Sequence, residues 1–303
     1  MNPNKTFDLQ SLKSIAESHR KKISENSHFG ISELLQKPVF FDWVKCEPKP
    51  NIYFQMFLGG GDDGVAMRFF WNGSYEKTTL SVWGYLAKNN GVILDIGAHT
   101  GAYTLAALAC NPDSKVLSFE PHFMNFSRLN LNLRGNNYST NGAYMIGIGE
   151  KNEVLPFSVA PNVSYLTSGG RLGVKDNSNV SHIQVVALDE FLPQEVASKV
   201  GLIKIDVEGH EGACLRGMRS LITKSRPIIF IECIDGKSGK EASSILQDLG
   251  YYFCLLDDGS GQIISVDSIE PRMDNVGKLN HLQLNRVAVP NIKILEQVLS
   301  YSA

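Results

Sequence analysis

The stretch VILDIGAHTGAYT, residues 92–104, constrains this chain more than any other. An apolar run ends on an acid, Asp95. Gly97 and Gly101 then bracket a short turn, and small and apolar residues follow that can open a helix. A short apolar run, a glycine turn and a helix start make a strand–turn–helix unit. The two glycines let the backbone turn tightly and come close to a ligand. A helix starting near Gly101 offers free N–H groups and the positive end of its dipole.

The same alternation repeats downstream. Strands are predicted at 92–98, 115–121, 143–149, 202–207, 227–233, 251–257 and 281–290, and helices at 101–110, 123–135, from His210 through Leu221, at 242–249 and at 291–300. Further strands at 153–160 and 182–188 flank a polar loop, Ser164–Ser181. Strands alternating with helices imply an α/β protein with a mostly parallel sheet covered on both faces. Residues 1–74 read as a separate N-terminal α/β extension before a domain at 75–303. The extension holds an amphipathic helix at Leu12–Ile23. Tyr53–Leu58 and Val65–Trp71 read as a hairpin over the turn GGGDDG. A helix at Thr79–Ala87 leads into the core.

Composition narrows the classes of function. A net charge of −2 on 303 residues gives no argument for nucleic acid or an anionic membrane as partner. No run of 18 apolar residues exists, so no transmembrane helix is expected, and the first residues lack the apolar core of a signal peptide. Five cysteines, none in a CxxC pair, read as buried free thiols of a cytoplasmic protein. The odd cysteine count and the N-terminal segment are compatible with a homodimer without showing one.

Sheets of this kind bind ligands outside the carboxyl ends of their strands. Those ends carry Asp95, Glu120, Gly147–Glu150, Asp206 with Glu208, and Glu232. The glycine turn differs from the dinucleotide fingerprint G-x-G-x-x-G, because Ala98 stands at the middle glycine. A pyrophosphate disfavours the carboxylate of Asp95 beside it, whereas a cationic ligand does not. S-adenosylmethionine, with its ammonium and sulfonium, fits. Asp95 would act on it directly, through water, or by fixing the loop. Glu120, ending the second strand, can accept both ribose hydroxyls, which suits NAD equally. Gly97, Ala98, His99, Thr100, Gly101, Tyr103, Thr104, Pro121, Gly147 and Tyr75 complete the expected cofactor set. Other motifs fail. Gly236-Lys237-Ser238 lacks the first glycine of a P-loop, and Asp257-Asp258-Gly259 lacks the spaced acids of a calcium loop.

A second constellation is KIDVEGHEG, residues 204–212. Lys204, Asp206 and Glu208 alternate, which puts them on one side of an extended strand. The ordinary reading is an ion pair of Lys204 with Asp206 or Glu208 at the sheet end. The functional reading is a methyl-acceptor site, in which Asp206, Glu208 or His210 takes the proton of an attacking hydroxyl. A divalent metal held by Asp206, Glu208 and Glu232 is a minor option. No ligand spacing is specific to it, so none is assigned.

With both constellations in view, the chain resembles the FkbM family of S-adenosylmethionine-dependent methyltransferases. The resemblance rests on VILDIGAHTGAYT, VLSFEP, VVALDEFL, IKIDVEGHEGACLRG, RPIIFIEC and NRVAVP, and covers roughly Tyr75 to Pro290. It implies the class I methyltransferase Rossmann-like fold, seven strands with the last antiparallel. It also implies O-methylation, commonly of sugars in glycans and glycolipids or of secondary metabolites. Family members often carry Asn where this chain has His99. Residues 1–74 lie outside the resemblance and are expected to cover the acceptor pocket, with Phe70, Trp71 and Tyr75 as sugar-stacking candidates. The expected reaction is thus O-methylation of a carbohydrate hydroxyl, with a polyketide or other small metabolite second. An NAD-linked oxidoreductase would need the missing middle glycine. A cofactor-binding protein without catalysis is the remaining alternative.

Overall fold

A computed structural model describes residues 8–22, 28–158, 166, 170–173, 180–274 and 276–301. The extension runs α1 (Leu9–Arg20), α2 (Ile31–Leu34), β1 (Phe41–Lys49), β2 (Ile52–Gly59) and α3 (Gly64–Asn72). The core begins with α4 (Lys77–Ala87), β3 (Val92–Ile96), α5 (Ala102–Cys110), β4 (Lys115–Phe119), α6 (Phe123–Gly135) and β5 (Ala143–Tyr144). Then come β6 (Gly147–Ile148), β7 (Glu153–Ser158), β8 (Arg171–Leu172), β9 (Val180–Val186), α7 (Leu188–Phe191) and α8 (Gln194–Ala197). The chain closes with β10 (Val200–Ile205), α9 (Glu211–Gly217), α10 (Arg219–Ser225), β11 (Ile228–Glu232), α11 (Gly236–Asp248), β12 (Tyr252–Leu256), β13 (Ile263–Val266), β14 (Asn285–Val289) and α12 (Ile292–Leu299).

The central sheet has the order β13-β12-β14-β11-β10-β3-β4-β5. β14 runs antiparallel between β11 and β12, while β11, β10, β3, β4 and β5 are parallel. This is the expected seven-stranded arrangement, with β13 added as an antiparallel edge strand. Each face of the sheet carries its own core. Ile93, Leu202, Phe230 and Val287 pack with α4, α5 and the extension. Leu94, Ile203, Ile229 and Ala288 pack with α9, α10 and α11 on the other face. This two-sided burial is why the strands read as nearly continuous apolar runs.

Two sequence expectations fail, each for a physical reason. Val65–Trp71 is not a strand but the body of α3. Asp63 caps it, its Oδ1 accepting from the amides of Val65 at 2.9 Å and Ala66 at 3.0 Å. Of the seven positions 65–71, all but Arg68 are buried apolar residues, so no helical period shows. The hairpin lies one step earlier, as β1 paired with β2. Asn51, at φ 65°, supplies its left-handed turn residue. The predicted strand 143–149 is split as well. Ala143–Tyr144 joins the central sheet, and Gly147–Ile148 joins a second sheet of order β6-β9-β7-β8. The polar loop 164–181 falls largely outside the described residues.

The extension is fastened to α6 by a ladder of side chains. Arg128 donates to the Phe57 carbonyl at 2.7 Å and to Asp62 Oδ2 at 2.7 Å. Asn132 Oδ1 accepts from the Phe57 amide at 2.8 Å, and Asn136 Oδ1 from the Gln55 amide at 2.7 Å. Residues 128, 132 and 136 are spaced four apart, so one face of α6 serves the open edge of β2.

Candidate functional site

At the carboxyl ends of β3, β4, β10 and β11 lies a cavity of about 2110 Å³. The parallel register sets what reaches it. Asp95 on β3 lies level with Lys204 on β10 and with Ser118 on β4. All three therefore point to the same face of the sheet, beneath the loop that follows β3.

That loop is built mainly by protein contacts. Gly97 has φ 81°, and a Cβ there would lie 1.7 Å from the Asp206 carbonyl oxygen. Gly101 has φ 97°, and a Cβ there would lie 2.6 Å from Leu129. Both glycines are thus required by the chain's own packing, not only by approach of a ligand as the sequence suggested. Asp95 is buried and does not line the cavity. Its Oδ2 accepts from Thr104 Oγ1 at 2.6 Å, and Thr104 also meets Ser118 Oγ at 2.6 Å. Of the three roles considered for Asp95, this geometry favours fixing the loop. Its Oδ1 is buried without a partner. Burial raises its pKa to about 6, against the Thr104 bond and the Lys204 charge.

Glu120 does face the cavity. The His99 amide donates to its Oε2 and the His122 amide to its Oε1, each at 2.8 Å. Burial nevertheless lifts its pKa to about 7. Gly97, Ala98, His99, Tyr103, Pro121, Gly147 and Tyr75 line the cavity with it, while Thr100, Gly101 and Thr104 do not. Phe70 and Trp71 are packed in the core, so of the three stacking candidates only Tyr75 reaches the cavity.

The constellation after β10 does not continue as a strand. β10 ends at Ile205, and Glu208 has φ 52°. Lys204 is therefore separated from Glu208. It is buried, does not line the cavity, and lies 3.5 Å from Asp206 Oδ2, 3.9 Å from Glu232 Oε2 and 3.0 Å from Asn285 Oδ1. Burial alone would lower its pKa, but Asp206 and Glu232 raise it, so the ammonium stays charged. Asp206 and Glu208 both line the cavity. Burial, then the nearby Asp206 charge, lifts Glu208 to about 8. His210 is not in the cavity wall; its ring sits against Gly149. The proposed base set thus narrows, by position, to Asp206 and Glu208.

The sequence reading missed part of the floor. Glu76 enters from the turn before α4, held at φ 41°, and accepts a hydrogen bond from the Tyr103 hydroxyl. Asp258, also in the wall, holds the first turn of α4 through the Thr79 amide at 2.9 Å and hydroxyl at 2.7 Å. Neither lies in a motif; the positive φ of Glu76 is a tertiary property without a sequence signal. Among the described residues, no group of three or more His, Cys, Asp or Glu side chains is arranged to hold a metal ion. Nor is any helix long and apolar enough to cross a membrane. The five cysteines are free.

With the added edge strand β13 set aside, one antiparallel strand, β14, stands next to last in an otherwise parallel sheet, and this arrangement over a glycine loop and a strand-end acid is that of the class I methyltransferase fold. The family model for the methyltransferase FkbM domain matches residues 95–253, just over half the chain. The chain belongs to that family and is a methyltransferase. It is similar to Methyltransferase 1 of Beauveria bassiana, 26% identical over 181 residues, covering 54% of this chain and 73% of that protein. It is also similar to the hexuronic acid methyltransferase AglP of Haloferax volcanii, 25% identical over 162 residues, with 54% and 64% covered. The chain thus spans less than two thirds of AglP's length. A crystal structure of an FkbM methyltransferase from Methylobacillus flagellatus aligns with TM-score 0.40 at 15% identity, covering 75% of this chain and 55% of that one.

Proposed function

We propose that the chain transfers a methyl group from S-adenosylmethionine to a hydroxyl, on a carbohydrate or glycoconjugate, with Glu208 as the base. Glu120 carries the donor assignment. Each of its carboxylate oxygens is pinned by one backbone amide and keeps acceptor capacity, which suits the two hydroxyls of a ribose. The carboxyl groups of Asp206, Glu208, Glu232 and Glu76 face the cavity beside the buried Lys204 ammonium, and their oxygens can accept from the ammonium of a donor. When bound, the donor supplies an electrophilic methyl on a sulfonium. The protein's part is to align the acceptor and to take its proton.

Glu208 suits that second task. It faces the cavity, and its pKa of about 8 makes it a stronger base than an ordinary carboxylate. Asp206 is tied instead to Lys204. Lys204 pairs with Asp206 and Glu232 and so positions them. The extension, through residues such as Asp62, Arg68 and Asn72, forms the acceptor side of the cavity. The similarity to a hexuronic acid methyltransferase supports a sugar-bearing acceptor. Glu208→Gln should keep affinity for S-adenosylhomocysteine within about twofold and lower kcat by about 10²–10⁴. Full turnover in this variant would place the base elsewhere, with Asp206 next.

A further inference from the structure

The ends of β10 and β11 bring two carboxyl groups side by side in the cavity wall. Ile205 is level with Ile231 in the parallel register, so the residues that follow, Asp206 and Glu232, are neighbours. Their side chains lie within hydrogen-bonding reach of each other. Two carboxylates only accept, so a bond between them needs one proton, which belongs to the pair. The surroundings favour keeping it. Lys204 is the ammonium that both share, at 3.5 Å from Asp206 and 3.9 Å from Glu232. Glu76 before α4 and Asp95 on β3 draw on the same ammonium. Glu208 and Glu211 face Asp206 from the turn after β10 and from α9. The remaining neighbours bring no second full cation: Asn285 on β14 accepts from Lys204 at 3.0 Å, the Tyr103 ring of α5 lies 4.9 Å from the ammonium, the Tyr75 phenol faces both acids, and burial holds the His99 imidazole toward its neutral form. Burial, then the Asp206 charge, pushes Glu232 well above the usual carboxylate range.

Donor and product differ in charge at one atom. S-adenosylmethionine carries a sulfonium, whereas S-adenosylhomocysteine is neutral at sulfur. With the ribose at Glu120 on β4, the sheet order β4-β3-β10-β11 sets the acid pair two and three strands beyond it, on the side of the cavity left for the charged end of the donor. We propose that Asp206 and Glu232 share a proton in the free protein, release it when the sulfonium donor binds, and keep it when the neutral product binds. This rests on the methyl-transfer reading above and adds a group that tells donor from product. In the transfer the S–CH₃ bond breaks, its electron pair stays on sulfur, the O–CH₃ bond forms, and the O–H proton passes to Glu208. The positive charge on sulfur is then gone. The pair takes a proton back, from Glu208 or from water, and the product loses the attraction that held the donor.

The test is calorimetry of the full chain with S-adenosylmethionine and with S-adenosylhomocysteine, each in buffers of different ionisation enthalpy, which counts the protons released on binding. The two ligands share their adenosine and amino-acid parts, so protons moved at Glu120 cancel in the difference. The donor should release about half to one proton more than the product, and the ratio of the two Kd values should shift toward the donor about three- to tenfold per unit of rising pH through neutrality. Glu232→Gln, whose amide can still donate to Asp206, should give both ligands the same proton count and a flat ratio, with affinity for S-adenosylhomocysteine within about threefold. Glu208→Gln should keep the difference. If Glu232→Gln does not fold, Asp206→Asn reads the same loss. Equal proton counts in the native chain overturn the inference, as does a difference that persists once the pair is broken or one that vanishes in Glu208→Gln. Failure of both ligands to bind the native chain would instead overturn the donor reading.

Discussion

The two sides of the cavity, proposed to take the donor and the acceptor, are built by opposite means. The loop after β3 is closed by buried hydrogen bonds and by backbone atoms in contact, all within short reach of one strand end. The proposed acceptor side is gathered from residues 28–76 and 263–284, mixes apolar residues with polar and charged ones such as Asp62, Arg68 and Glu76, and leaves large side chains in solvent. A chemically fixed donor can be served by a rigid, local constellation. Surface segments outside the central sheet, such as those of the second side, can vary without disturbing the core.

The sharpest way to break this contrast is at Gly97. Gly97→Ala puts a methyl on the Asp206 carbonyl and forces a positive φ on a residue with a Cβ. It should cost about 2–4 kcal/mol of stability and abolish donor binding, read by thermal unfolding and calorimetry. A variant of ordinary stability and affinity would mean that the strand ends are less tightly set. The pH profile is the next largest effect. A base must be deprotonated to act, so kcat should rise with pH through about 8, the value to which burial and Asp206 lift Glu208. Glu208→Gln should remove that limb together with the activity.

The smallest effect tests a residue that joins the two sides. Asn132 is fully buried; it accepts from the Phe57 amide of the extension and donates to the Thr100 carbonyl of the loop at 2.8 Å. Asn132→Asp keeps the first bond and leaves the carbonyl unmatched, which should weaken donor binding about tenfold. Asn136→Ala removes a rung that bonds the extension at Gln55 and does not bond the loop, and it should leave donor affinity within about twofold. Equal losses in both variants would show that the extension acts on the loop as a whole and not through Asn132.

The sequence made the donor side legible because its signals are local. The apolar run, the glycines and the acids at 95 and 120 each follow from the strand that carries them. The same local logic misled at residues 65–71, where a helix buried on all sides has no period. It also misled at Lys204–Glu208, where alternation holds only while the strand does, and the strand stops at Ile205. Glu76 and Asp258 were hidden for a different reason. They converge only through the folded chain, and no spacing announces them.

The central claim is that the ends of β3 and β4 hold a methyl donor. The most direct measurement is a calorimetric titration of the chain and of Glu120→Gln with S-adenosylhomocysteine and with NAD. The account predicts binding of S-adenosylhomocysteine and not of NAD, weakened about tenfold in the variant by loss of a charged hydrogen-bond acceptor. Binding of NAD alone, or unchanged affinity in Glu120→Gln, would contradict it.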